Sequence, residues 1–149
     1  MQNMYVGDFG DYGKYGLLRG LFSGSRLGVV WYMVPDESHL ADGRHIDYLS
    51  KLKYVECDRE LFSILRDILS SGKRDIVEIE RVGIFPAGTV TFSEYLSYEA
   101  SKANSPAGRK RRLDLRRQWI DRAIERVAGC DAVFLDPDNG LEAASVKKH

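Results

Sequence analysis

Two carboxylates that follow a short apolar segment are the residues best suited to chemistry in this sequence. Residues 132–135 are all apolar, which favours a strand buried on both faces of a parallel sheet. Asp136 and Asp138 come directly after it, in the turn-forming run Asp-Pro-Asp-Asn-Gly. Ligands of open α/β sheets bind just beyond the carboxyl ends of the strands. We therefore predict that Asp136 and Asp138 are catalytic residues, with an ordinary turn as the alternative.

The same acids could instead bind a hard divalent cation. Asp136, Asp138 and Glu142 offer the oxygen ligands that Mg²⁺ and Mn²⁺ prefer, with Asp8 or Asp11 as additional donors. A metal ion held there would stabilise negative charge on a phosphate. The spacing of these acids matches no specific metal-binding motif, so the metal site is a hypothesis.

A carboxylate at the end of a buried strand also needs a compensating partner. Partial burial disfavours the charged form of Asp136 unless an opposite charge or hydrogen-bond donors lie close by. The sequence offers Lys14, Arg44, a metal ion, or the N–H groups of the turn. It does not distinguish among them.

A second buried strand is predicted over residues 27–34, and polar residues follow it. We predict that Asp36 or Glu37 meets the ribose hydroxyls of a nucleotide cofactor, and that Arg44 binds a phosphate or a carboxylate. No G-x-G-x-x-G motif follows this strand, which disfavours a standard dinucleotide site.

A long basic helix is predicted from Pro106 to about Ala128, with Ser105 as its cap and Gly129 as its end. One face of this helix is apolar, while the opposite face is rich in arginine. Such an excess of positive charge can attract the phosphates of a nucleic acid, and a solvated face is the alternative. The predicted nucleic-acid-binding residues form the run at its start: Arg109, Lys110, Arg111 and Arg112.

The remaining elements indicate one α/β domain over residues 1–149. Helices are predicted from near Asp11 and over residues 58–71, and short strands over residues 75–79 and 89–92. The alternation predicts a three-layer Rossmann-like sheet with mainly parallel central strands, in which 28–34 and 132–135 are neighbours. Because the last strand lies near residue 149, we expect a sheet truncated at its C-terminal side, or one that pairs with a second copy as a homodimer.

Composition restricts the class of protein. Hydrophobic residues make up 44% of the chain and charged residues 30%, which is enough for a packed core. The net charge is zero, but residues 105–149 carry 10 basic and 7 acidic groups, so a nucleic-acid surface is expected there. No segment approaches about 18 apolar residues, and the N-terminus lacks the pattern of a signal peptide. We expect a cytoplasmic protein with no membrane segment.

Three segments together carry a family resemblance. The sequences V-G-D-F-G-D-Y-G-K-Y-G-L-L-R (residues 6–19), V-W-Y-M-V-P-D-E-S-H (residues 30–39) and V-F-L-D-P-D-N-G-L-E (residues 133–142) resemble a family of uncharacterised bacterial proteins over nearly the whole chain. That family has no activity assigned, so this resemblance implies little about function.

The segment F-L-D-P-D-N is also distantly similar to the D-P-P-Y motif of S-adenosylmethionine-dependent methyltransferases that modify amino groups of bases. Asp136 and Pro137 match the first two positions of that motif, whereas Asp138 and Asn139 depart from its second proline and its aromatic residue. The resemblance implies a Rossmann-like fold, S-adenosylmethionine as the cofactor, and Asp136 as the residue that holds the target amine.

Three functions remain as hypotheses. The narrowly favoured one is a methyltransferase-like enzyme that acts on a nucleic acid or a nucleotide-type substrate, with Asp136 at the substrate site. The second is a phosphodiesterase or nuclease that depends on Mg²⁺ or Mn²⁺. The third is a non-catalytic module that binds a nucleotide or a partner.

Overall fold

The computed structural model describes residues 1–36, 45–97 and 105–137 of the 149-residue chain. Within these ranges the fold is mixed α/β, with three strands, five α-helices and two short 3-10 helices. The α-helices and strands are, in chain order, α1 (Phe9–Leu21), β1 (Leu27–Trp31), α2 (Leu52–Val55), α3 (Arg59–Ser71), α4 (Ile76–Val82), β2 (Val90–Phe92), α5 (Pro106–Val127) and β3 (Ala132–Asp136). No helix in the described ranges is long and apolar enough to cross a membrane.

The three strands form one parallel sheet in the order β2-β1-β3. Gly28 of β1 is aligned with Val90 of β2, and Trp31 of β1 is aligned with Asp136 of β3. The prediction that the two apolar segments are adjacent parallel strands is confirmed. Strand β1 ends at Trp31, earlier than predicted, and one isolated parallel bridge beyond it joins Met33 to Tyr95.

Side chains of β1 alternate between two hydrophobic cores because successive residues of a strand point to opposite faces. Val29 and Trp31 pack in the larger core, to which α1 and α3 contribute Tyr15 and Leu61. Val30 packs in the smaller core with residues of α5 and β2. Every residue of β1 is buried, as expected for a parallel strand that is covered on both faces.

Strand β3 does not match its predicted environment. It is the edge of the sheet within the described residues, and it was predicted to be buried on both faces at the centre. Val133 and Leu135 are 44% and 53% exposed, whereas Phe134 packs against the larger core. The physical reason is that α5 packs over β1 and β2 and leaves the same face of β3 partly uncovered.

The predicted strand over residues 75–79 is wrong, because this segment forms α4. The side chain of Asp75 accepts a hydrogen bond from the Val77 N–H at 2.9 Å and so caps the helix. Ile76 and Ile79, three residues apart, are both buried. Gly83 then ends the helix in the left-handed conformation, with φ of 64°.

Helix α5 follows its prediction closely. The Ser105 hydroxyl accepts a hydrogen bond from the Gly108 N–H at 3.1 Å, and Pro106 opens the first turn. At the other end, Val127 packs on Gly28, where an added Cβ atom would lie 3.0 Å from the Val127 Cβ. The C-terminal end of α5 therefore lies against the first half of β1, and the helix runs antiparallel to the strands.

Candidate functional site

The N-cap and the first two turns of α1 bring three charged residues to the carboxyl edge of the sheet. Helix α1 precedes β1 in the chain and runs antiparallel to the strands. Its N-terminal end therefore lies at the carboxyl ends of the strands. The Asp8 carboxylate caps the helix by accepting a hydrogen bond from the Asp11 N–H at 2.9 Å. The helix was predicted to begin near Asp11, which instead lies within its first turn. Asp8, Asp11 and Lys14 thereby share a pocket with Asp136.

Asp11 is a fully buried carboxylate with hydrogen-bond donors at one oxygen and an ion-pair contact at the other, and only 1% of it is exposed. Its Oδ2 accepts hydrogen bonds from the Gly7 N–H at 3.1 Å and from the Tyr15 hydroxyl at 2.8 Å. Its Oδ1 lies 2.8 Å from the Lys14 Nζ. Burial raises the pKa of Asp11, and the Lys14 charge opposes this increase without cancelling it. Asp11 is therefore suited to holding Lys14 rather than to binding a ligand directly.

Lys14 contacts both Asp11, three residues before it, and Asp136, which is 122 positions further along the sequence. Its Nζ donates to the two carboxylate oxygens of Asp136, at 3.0 and 3.2 Å. The Lys14 side chain is 32% exposed and that of Asp136 is 11% exposed, so a small ligand could reach the pair. Burial alone would lower the pKa of Lys14, but Asp11 and Asp136 together outweigh burial and raise it. Lys14 is consequently a firmly charged ammonium at neutral pH.

A small polar pocket of about 190 Å³ surrounds this pair. With all groups ionised, the three carboxylates and the Lys14 ammonium give its side chains a net charge of −2, and the Met1 α-ammonium reduces this to −1. The pocket favours a cation or an amino group, and it is smaller than the roughly 300 Å³ typical of sites that enclose a drug-sized ligand. Its lining residues are Met1, Tyr5, Asp8, Gly10, Asp11, Lys14, Asp136 and Pro137.

The N-terminal segment crosses the carboxyl end of β1. The Met1 nitrogen donates to the Tyr32 carbonyl oxygen at 2.6 Å, and the Val34 N–H donates to the Met1 carbonyl oxygen at 3.0 Å. The Asn3 N–H donates to Asp36 Oδ1 at 2.7 Å. One oxygen of Asp36, a predicted cofactor ligand, therefore holds the main chain of this segment.

Most of the remaining predicted site residues either lie on α5 or fall outside the described ranges. Arg109, Lys110 and Arg111 are exposed on α5, and Arg112 beside them is half-buried. Within residues 1–36, 45–97 and 105–137, no group of three or more His, Cys, Asp or Glu side chains is arranged to hold a metal ion. Four predicted site residues lie outside the described ranges: Glu37, Arg44, Asp138 and Glu142.

The sequence carried a local signal for part of this site. Asp11, Lys14 and Tyr15 have the spacing of three and four residues that places side chains on one helix face. The contact of Lys14 with Asp136 has no such signal, because it depends on the packing of α1 against the sheet. Of the compensating groups offered by the sequence, the structure assigns Lys14 to Asp136.

Comparisons with protein-family models, curated proteins and solved structures gave no significant match to this chain. The resemblances carried by its sequence segments therefore remain predictions. The functional argument depends on the geometry and charge of the pocket itself.

Proposed function

We propose that the protein is a phosphodiesterase that depends on Mg²⁺ or Mn²⁺ and uses Asp136 as a metal ligand. The single observation that carries this proposal is the Lys14–Asp136 pair, held in an acid-lined pocket at the carboxyl edge of the sheet. Such a pocket combines a carboxylate for a cation with an ammonium for a phosphate oxygen.

The donor chemistry of Asp136 fits a metal ion. A carboxylate has two oxygens with about four lone-pair positions, so contact with Lys14 leaves positions for a metal. Asp136 would supply one ligand to such a metal, and Asp138 and Glu142, two and six residues later in the sequence, are the candidates for others. Mg²⁺ commonly uses one or two protein carboxylates and takes its remaining ligands from water and substrate phosphates.

Lys14 would act on the substrate side of the same pocket. An ammonium group has three N–H donors, and Lys14 already contacts Asp11 Oδ1 and both oxygens of Asp136. A phosphate oxygen would therefore take the place of one Asp136 contact. A bound metal would stabilise charge on the phosphate and activate the attacking water. In the overall reaction, water adds to phosphorus, one P–O ester bond breaks, and the departing oxygen takes up a proton.

Metal-dependent chemistry is favoured over methyl transfer by the position of the N-terminal segment. A nucleotide-type cofactor would need the carboxyl end of β1, where Met1 and Asn3 bind Tyr32 and Asp36. The segment Tyr32-Met33-Val34-Pro35-Asp36 also contains no glycine for a close approach of the cofactor to the backbone.

Methyl transfer remains the second candidate because one specific observation favours it. Strand β3, whose last residue is Asp136, is the parallel neighbour of β1, and Pro137 follows it directly in the sequence. This adjacency agrees with a larger Rossmann-like sheet in which Asp136 holds a target amine. Under this alternative, S-adenosylmethionine would bind near Asp36 and Glu37.

Hydrolysis of bis(p-nitrophenyl) phosphate with and without Mn²⁺ tests the first candidate. We expect metal-dependent release of nitrophenol by the parent protein and its loss in Asp136→Asn. Asp114→Asn is the matched control, because Asp114 is an exposed aspartate on α5, on an element that does not line the pocket. If S-adenosylhomocysteine raises the melting temperature and Mn²⁺ does not, methyl transfer replaces phosphodiester hydrolysis as the favoured function.

A further inference from the structure

The N-terminal half of α5 carries a large local positive charge. Residues 109–117 contain six basic residues and one acid, a net of +5 in a chain whose total charge is zero. The first turn of the helix contains no acidic residue. Because positive side chains near a helix N-terminus oppose the helix dipole, this arrangement costs local stability. Such unfavourable charges, kept at a cost in helix stability, are often found at functional surfaces.

Helix geometry selects which of these cations act together. Successive residues differ by about 100° around the helix axis, so the run of residues 109–112 cannot share one face. Spacings of three, four and seven residues instead group four exposed cations around Leu113, which is 57% exposed. We call these four the basic face: Arg109, Lys110, Arg116 and Arg117.

The arginines in the C-terminal half of α5 have a different role. The Arg122 Nε lies 2.8 Å from Glu94 Oε2, and the Arg126 Nε donates to the Thr91 carbonyl oxygen at 3.2 Å. These two side chains join α5 to β2 and the residues after it. By contrast, Lys110 and Arg117 have no ion-pair partner among the described residues. Their charges are therefore open to an external anion.

The basic face lies at the same end of the sheet as the pocket. The Trp119 ring packs on Tyr32, 4.5 Å between centroids, and its Nε1 donates to the Glu94 carbonyl oxygen at 2.8 Å. Tyr32 and Glu94 both follow the last residues of their strands, so Trp119 marks the carboxyl edge. Residues 109–118 precede Trp119 and extend beyond that edge by about 15 Å, at 1.5 Å per residue.

We propose that the basic face binds the phosphodiester backbone of a nucleic acid and holds it at the carboxyl edge of the sheet. The two pairs of cations are seven residues apart, about 10.5 Å along the helix. This rise is close to three base-pair steps of about 3.4 Å each in a duplex. Hydrolysis of this backbone at Asp136 rests on the proposed function. The binding of the backbone by the basic face does not.

The small apolar area of the basic face favours a nucleic acid over an anionic membrane as its partner. A helix that lies on a membrane needs a broad apolar strip beside its cations. Among the four cations of the basic face, Leu113 is the one large apolar side chain. A phosphate backbone requires only the row of cations.

Fluorescence anisotropy with a short labelled DNA duplex, and with an RNA duplex of the same sequence, tests this proposal. The full chain is titrated in EDTA, so that binding is measured without metal or cleavage. The test variant is Lys110→Gln/Arg117→Gln. The matched control is Arg59→Gln/Lys73→Gln, which removes the same charge from two exposed residues of α3 and its C-terminal turn.

We expect the parent and the control to bind with the same affinity and salt dependence. The test variant should bind at least about tenfold more weakly at about 50 mM salt, and its log–log salt slope should fall by about two. The proposal is overturned if the parent binds neither duplex, if both variants weaken binding equally, or if phosphatidylserine vesicles bind in preference to both duplexes. None of these results bears on metal binding at Asp136, which a separate titration measures.

Discussion

Replacing Lys14 with methionine removes the charge that joins the two buried carboxylates of the pocket. Methionine keeps an unbranched chain of similar length, so the main change is the loss of the ammonium group. The carboxylate side chains of Asp11 and Asp136, which are 1% and 11% exposed, would then lack their cation. We expect Lys14→Met to fold and to be less stable than the parent.

The size of the effect follows from the burial of the three groups. Removing one partner of a fully buried ion pair costs about 3–5 kcal/mol. Lys14 is 32% exposed, so water can replace part of its interaction, and we expect a loss of about 1–3 kcal/mol. Lys73→Met is the control, since Lys73 is exposed and has no ion pair among the described residues. That control should change stability by less than about 0.5 kcal/mol.

The pH dependence of this loss has a defined sign. Burial raises the pKa of Asp11, and without Lys14 the main opposing charge is gone, so the loss decreases as pH falls and protonates Asp11. At high pH, the parent loses the Lys14 contribution as pH rises above the ordinary value of 10.5 and through the raised pKa of Lys14. The stability difference between parent and variant should therefore be largest near neutral pH and decrease towards both extremes.

Urea denaturation of four proteins tests this reasoning. Asp136→Asn removes one of the two uncompensated charges, so the double variant Lys14→Met/Asp136→Asn should be more stable than Lys14→Met alone. A Lys14→Met loss that is equal at about pH 5 and pH 7.5 would indicate lost packing rather than lost charge. Strict additivity of the two substitutions would also refute the assigned ion pair.

Two further predictions concern glycines and use the same denaturation assay. Gly13→Ala should stabilise α1 by up to about 1 kcal/mol, because nothing lies within 4 Å of the added Cβ atom. Gly10→Ala should lack this gain, because its Cβ atom would lie 3.2 Å from the capping oxygen of Asp8; equal gains would contradict the cap. Gly28→Ala should cost about 1–3 kcal/mol, because its Cβ atom would meet the Val127 Cβ at 3.0 Å; a neutral result would contradict the packing of α5 on β1.

Elements with strong local signals could be predicted from the sequence. The cap, proline and end of α5 are local features, and so is the Asp58 cap of α3, whose carboxylate accepts a hydrogen bond from the Leu61 N–H at 2.9 Å. The parallel pairing of β1 with β3 followed from their apolar character. The helix caps and ends depend on neighbouring residues, which is why they can be predicted from the sequence.

The prediction of a strand over residues 75–79 failed because two local signals conflict there. The β-branched residues Ile76, Val77 and Ile79 favour a strand, but the Asp75 cap and the three-residue spacing of Ile76 and Ile79 favour a helix. The exposure of β3 could not be predicted for another reason. It depends on where α5 crosses the sheet, and that position is set by contacts such as Gly28 with Val127.

The candidate site was predicted in part. Asp136 was identified from its place after an apolar strand. Lys14 and Asp11 were among several candidates to accompany it, and the structure places them there through the packing of α1. The hypothesis that Asp136 binds a metal cation uses both the sequence and the structure. The net negative charge of the pocket depends on the packing of α1, which the sequence alone does not give.

The most direct test of the central claim is calorimetric titration of Mn²⁺ into the parent protein, Asp136→Asn and the control Asp114→Asn. We predict one binding event for the parent and for Asp114→Asn, and at least about tenfold weaker binding for Asp136→Asn, as expected when a metal site loses a charged ligand. Folding of each protein is checked by its denaturation curve. Equal Mn²⁺ binding by the parent and Asp136→Asn, or no binding by the parent, would contradict the claim that Asp136 is a metal ligand.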